Sequence, residues 1–108
     1  MVSKTLGFAR ARFHRVLARS GCRTTDHFAG FQLTGHYDAA ELARLIRQLP
    51  EGVTEFMCHP GFCTQELQAT RTRLKESRRR ELDALTSREV RRAIEESKVT
   101  LARYPEIR

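Results

Sequence analysis

The period of the apolar positions changes several times along the chain, and each change predicts an element. From Ser3 to Arg19, Leu6, Ala9, Phe13, Val16 and Leu17 share one helical face while Arg10, Arg12, Arg15 and Arg19 lie largely elsewhere. This predicts an amphipathic helix that stops at Gly21. Arg23 to Thr25 read as a short strand, with Gly30 as the break after it. The clearest helix runs from Asp38 to Leu49: Asp38 and Glu41 form a capping-box pair, Ala39, Leu42, Leu45, Ile46 and Leu49 make the buried stripe, and Pro50 and Gly52 end it.

A two-residue period follows. Val53, Glu55, Met57 and His59 alternate with Thr54, Phe56 and Cys58, which predicts a strand with two distinct faces. Pro60 cannot donate to a ladder and holds the residue before it extended, so His59 becomes the last strand residue. Phe62 to Thr72 has no firm period and reads as a loop with a helical turn. Leu74, Leu82 and Leu85 then predict a helix through Arg71 to Leu85, its outer face carrying Arg71, Arg73, Lys75, Arg78, Arg79 and Arg80 and pairing Glu76 with Arg80. Thr86 and Glu89 form a second capping box before Val90, Ala93 and Ile94, and Val99 to Leu101 reads as a last strand.

Helices alternating with strands over short connections predict an α/β fold with parallel strands. About three parallel strands cannot cover both faces and both edges alone, so the expected domain is incomplete. At 108 residues the chain allows one domain. No apolar run approaches the roughly 18 residues of a membrane span. Three cysteines without a secretory signal favour reduced thiols and a cytoplasmic setting. The first helix has the arginine-rich, acid-poor composition of a transit peptide, but it leads straight into a strand, which favours a covering helix of the fold.

Twenty Lys and Arg against thirteen Asp and Glu give a net charge of +7. That charge keeps open a small basic module that binds nucleic acid or an acidic partner through the Arg71 to Arg80 face. Few aromatics lie between these arginines, so a solvated basic surface is preferred.

The candidate chemistry sits at strand ends. Asp26 and His27 are expected at the end of one strand and His59 at the end of the next, on the rim where parallel sheets place ligands. Each has an ordinary structural reading: a turn residue for Asp26, a satisfied half-buried ring for His27 and a strand-end anchor for His59. Glu55 shares the face of His59 but lies about 13 Å back along an extended strand, too far for a direct partner. Cys22, Cys58 and Cys63 lack the tight pairing of structural zinc sites, and no metal ligand is assigned within the chain.

Three blocks, TTDHFAGF, GVTEFMCHPGF and SRRRELDALTSREVRRAIEESKVTLARY, resemble the C-terminal portion of the YdjC-like carbohydrate deacetylases, the family that includes chitooligosaccharide deacetylase. The likeness is nearest to the hopanoid-biosynthesis-associated members and runs from about Ala9 onward. It implies the last strands and helices of a distorted (β/α) barrel. It also implies hydrolysis of an N-acetyl group from an amino sugar or oligosaccharide, with a divalent ion such as Mg or Zn activating water, a carboxylate as base and an acid for the departing nitrogen. By the resemblance, His59 matches the HPG histidine and is the general acid or an oxyanion donor, while Asp26 and His27 orient it or bind substrate. The paired-Asp and His-x-His motifs that hold the ion in the family do not occur here, so the chain is expected neither to bind the ion nor to turn over substrate alone. The partners implied are the N-terminal part of the barrel and the sugar, with a homo-oligomer also allowed.

Overall fold

The computed structural model describes the backbone of residues 4–107 and the side chains of residues 8–107. The order is α1 (Lys4–Arg19), β1 (His27–Ala29), α2 (Ala39–Arg47), β2 (Thr54–Phe56), α3 (Gln65–Ala69), α4 (Glu76–Leu85), α5 (Arg88–Glu96) and a 3-10 turn at Tyr104–Glu106. The fold mixes helices with a small parallel sheet. β1 and β2 pair in parallel, with Phe28 opposite Glu55, and α2 makes the crossover between them.

α2 forms as its sequence predicts. The Asp38 carboxylate accepts the Glu41 N–H at 2.9 Å, occupying one of the amide donors that a helix start leaves free. Leu42, Ala43 and Ile46 are buried on its inner face. With Tyr37, Ala84, Val90 and Ala93 they form a core between α2, α4 and α5, and Leu33, Phe56, Leu85, Ile94 and Val99 pack at its margin. Phe56 joins the sheet to this core, its ring edge-on to Tyr37 at 5.7 Å.

The other face of the sheet is open. In a parallel pair the residues in register share a face, so Phe28 stands beside Glu55 on the side away from Phe56. Of the six phenylalanines only Phe56 enters the core margin; the other five are between 53% and 73% exposed. Soluble domains do not usually leave so much aromatic surface in water, and this exposure fits a partial domain. Beside β1, a groove of about 340 Å³ runs between Ala29, Leu33, Leu45 and Leu49. α1 differs from its expected role as a covering helix: Phe8, Phe13 and Val16 are exposed, and none of its described side chains enters the core. No helix among the described residues is long and apolar enough to cross a membrane.

Several boundaries move, each for a physical reason. β1 begins at His27, not Arg23, because its partner starts only at Val53, whose carbonyl accepts the Asp26 and His27 N–H groups at 2.9 and 3.0 Å. β2 stops at Phe56, where the Met57 N–H makes the last bond to the Ala29 carbonyl. α4 starts at Glu76 rather than Arg71, and α5 is capped by Ser87, whose hydroxyl accepts the Val90 N–H at 3.2 Å, because Thr86 already closes α4. The expected Glu76–Arg80 pair is replaced by Arg79–Asp83 at 2.9 Å. Val99 to Leu101 forms no strand: Lys98 turns the chain with φ +54°, and Leu101 is left 77% exposed.

Gly52 fixes the entry to β2. Its φ of +108° lies in the region glycine favours, and a Cβ there would sit 2.7 Å from Asp26 Oδ2. Asp26 in turn accepts the Val53 N–H at 2.8 Å. Gly52→Ala is expected to lower stability by about 1–3 kcal/mol in urea unfolding, through backbone strain and displacement of this carboxylate. An unchanged midpoint would show that the turn relaxes freely.

Candidate functional site

The loops that leave the carboxyl ends of β1 and β2 are joined by one buried side chain. Glu81, on the inner face of α4, is 1% exposed. Its Oε2 accepts the His59 N–H at 2.8 Å, and its Oε1 takes a longer contact of 3.4 Å from the Gly35 N–H. The carboxylate thus holds the chain after β2 against the turn after β1. A charged acceptor serving two buried amides is worth more than an ordinary hydrogen bond and is costly to remove.

His59 lies three residues beyond β2, in irregular chain rather than within the strand. It remains on the carboxyl side of the sheet. The residue is half-buried, and its Nδ1 is buried with no hydrogen-bond partner. An imidazole that moves protons is ordinarily oriented through its second nitrogen, and no described residue supplies that acceptor.

Tyr37 and Cys58 border the same carboxylate. Burial, and then the charge of Glu81, push the Tyr37 hydroxyl well above the usual phenol range; the hydroxyl lies near the Glu81 carboxylate but makes no hydrogen bond of good geometry to any described residue. Burial and then Glu81 also raise the Cys58 thiol. A thiol raised in the folded state favours folding while protonated. That contribution is complete below the ordinary thiol range and is lost as pH rises through the raised value, so stability should fall in alkali above about pH 9. The raised thiol also holds little thiolate near neutrality. Iodoacetamide at about pH 8 is therefore expected to alkylate exposed Cys22 well before Cys58, as mass spectrometry of the time course would show. Equal rates would mean that Cys58 is not shielded.

Asp26 and His27 stand elsewhere. The sequence placed them at the carboxyl end of a strand; the structure puts them at the amino end of β1, because the strand begins where they were expected to finish it. Asp26 is occupied with the Val53 N–H, and His27 Nε2 lies 3.0 Å from the Glu51 carbonyl. Both lie at the amino end of the strand pair and His59 lies beyond its carboxyl end, and their hydrogen bonds go to Val53 and Glu51 and not to the His59 ring. Glu55, midway between, accepts the Tyr104 hydroxyl, and this bond raises the phenol of Tyr104.

The arginine run is largely engaged. Arg78 donates to the Leu74 carbonyl at 2.9 Å, Arg79 pairs with Asp83 and lies over the Phe62 ring at 5.5 Å, and Arg80 reaches the Gly35 carbonyl at 3.4 Å. Among the described residues no group of three or more His, Cys, Asp or Glu could hold a metal ion. The donor set here does not fit the ion implied by the resemblance.

A family model described as YdjC-like protein matches residues 2–96. The chain belongs to the YdjC-like family. Comparison with curated proteins and with solved structures returns no match. The matched span of the YdjC-like chain contains both sheet strands, His59 and Glu81.

Glu81 was not singled out from the sequence. A signal existed: Ser77 and Ala84 stand four before and three after it, so the three share a helical face. That face is the buried one, whereas the expected inner residues Leu82 and Leu85 are only half-buried.

Proposed function

We propose that this chain is the C-terminal segment of a YdjC-like carbohydrate deacetylase barrel, contributing the wall that carries His59. The observation that supports this best is the position of His59 on the carboxyl side of a parallel sheet, its backbone tied to the neighbouring loop by Glu81. Ligands in parallel sheets gather on that side. The remaining strands of the barrel would pair at the free edge of β1, and the open sheet face would pack against the rest of the domain. The substrate class is an N-acetylated amino sugar, cleaved to acetate and a free amine.

In this reading His59 protonates the departing nitrogen as the carbon–nitrogen bond breaks, an imidazole being matched to proton transfer near neutral pH. Glu81 acts through the backbone and fixes where the ring can stand. The ion that activates water in the family needs ligands from the rest of the barrel.

The test is acetate release from N-acetylated chito-oligosaccharides. The chain joined to the N-terminal portion of a YdjC-like family member, with a divalent ion supplied, is expected to release acetate and amine in equal amounts. Neither part should do so alone. No release from a folded joined protein would reject the deacetylase reading.

A further inference from the structure

A second site is built where α4 begins. A cleft of about 230 Å³ is lined by Gly35 and His36 of the turn after β1 and by Arg73, Lys75, Ser77 and Arg80. Its volume is below the roughly 300–1,000 Å³ of pockets that hold drug-sized ligands, so it suits a small group.

Four features favour an anion. First, α4 has ten residues and its N-cap, Lys75, makes no side-chain capping bond. The Glu76 and Ser77 N–H groups find no acceptor among the described residues, and the positive end of the helix dipole faces the cleft. Second, Ser77 is only 7% exposed, yet its hydroxyl makes no hydrogen bond to any described residue and borders the cleft. A hydroxyl left without a partner at the wall of a cleft is free to donate to a ligand there. Third, three cations line the cleft against one lining carboxylate, that of Glu76, with the Glu81 carboxylate also reaching Gly35 of its wall. Fourth, Arg73 makes no hydrogen bond to a described residue, and Arg80 spends only a 3.4 Å contact on Gly35, whereas Lys75 is held by the Gln68 carbonyl at 2.7 Å.

We propose that this cleft binds a phosphate group. Two amides, one hydroxyl and two guanidinium groups give donors from several directions, which suits a tetrahedral dianion better than a flat, singly charged carboxylate. The proposal does not rest on the deacetylase reading, since it uses neither His59 nor any residue outside the chain.

The test is amide NMR of the 108-residue chain titrated with inorganic phosphate and, separately, glycerol 3-phosphate. Saturable shifts at the Glu76 and Ser77 amides are expected, with a dissociation constant at or below about 1 mM. Arg73→Gln and Ser77→Ala, two changes that remove no side-chain hydrogen bond to a described residue, should each weaken binding about tenfold. The paired control Arg91→Gln with Arg92→Gln, on the exposed side of α5, should leave it unchanged. Tighter binding of the ester would identify a phosphomonoester ligand; equal or tighter binding of the inorganic ion would identify the free anion. Shifts that never saturate, or a loss in the α5 control equal to that in the Arg73 variant, would overturn the proposal as diffuse attraction to a basic surface.

Discussion

In a complete YdjC-like deacetylase carrying this segment, His59→Ala is expected to slow acetate release by roughly 10²–10⁴-fold, the range for loss of a general acid. The decrease should fall on kcat more than on KM, because proton transfer to the leaving nitrogen is needed in the transition state and not for binding. The fold should survive the change. The bond from this residue to Glu81 uses the backbone N–H, which alanine retains, and the ring nitrogen removed with the side chain has no partner to lose. His59→Gln separates two chemistries: glutamine can donate a hydrogen bond to an oxyanion but cannot deliver a proton at neutral pH. A glutamine variant as slow as alanine fits the acid, and partial recovery fits an oxyanion donor. Wild-type turnover in both variants would remove His59 from the reaction.

Glu81→Ala should be the most damaging single change to the fold. It leaves the His59 and Gly35 amides without their buried acceptor, at an expected cost of about 2–4 kcal/mol. That is a large share of the 5–15 kcal/mol typical of a whole domain. Glu81→Gln keeps one acceptor oxygen and removes a buried charge beside Tyr37, so its cost should be clearly smaller. Urea unfolding would give the order wild type, Gln, Ala from most to least stable. In the joined enzyme both variants should also lower activity, because His59 is no longer held to the turn after β1. An alanine variant as stable as wild type would mean that water serves both amides equally well.

The parts of the fold legible in the sequence are those governed by local patterns. α2 carries a capping residue, an apolar stripe and a proline–glycine stop within one short span, and each forms close to its predicted place. The strands were harder because their lengths depend on the partner. Arg23 to Thr25 has strand-like residues but nothing to pair with, so pairing starts at Asp26 and His27. Val99 to Leu101 has the right alternation and no sheet edge beside it. At α5, Thr86 and Ser87 are both able to cap; Thr86 is taken by α4, where its hydroxyl bonds the Leu82 carbonyl at 2.8 Å.

The site was legible only in part, for related reasons. Pro60 put the end of the strand at His59, three residues past its true end at Phe56, and His59 still lies on the carboxyl side of β2. Asp26 and His27 were assigned to the rim through a strand set a few residues too early. Glu81 was concealed by composition: it follows three consecutive arginines, in a stretch that reads as a solvated face. Only the packing of α4 on α2 shows that the face holding Ser77, Glu81 and Ala84 turns inward.

On the proposed reading, the sheet of β1 and β2 is one wall of a larger barrel, and further strands pair at its free edge. Hydrogen exchange on the isolated chain and on the chain joined to the N-terminal portion of a YdjC-like family member tests this directly. The Phe28 and Gly30 amides, which alternate along β1 with those that face β2, should exchange rapidly in the first and be strongly protected in the second, as a further strand pairs at the free edge of β1. Equal exchange at these amides in both, with the joined protein folded, would contradict it.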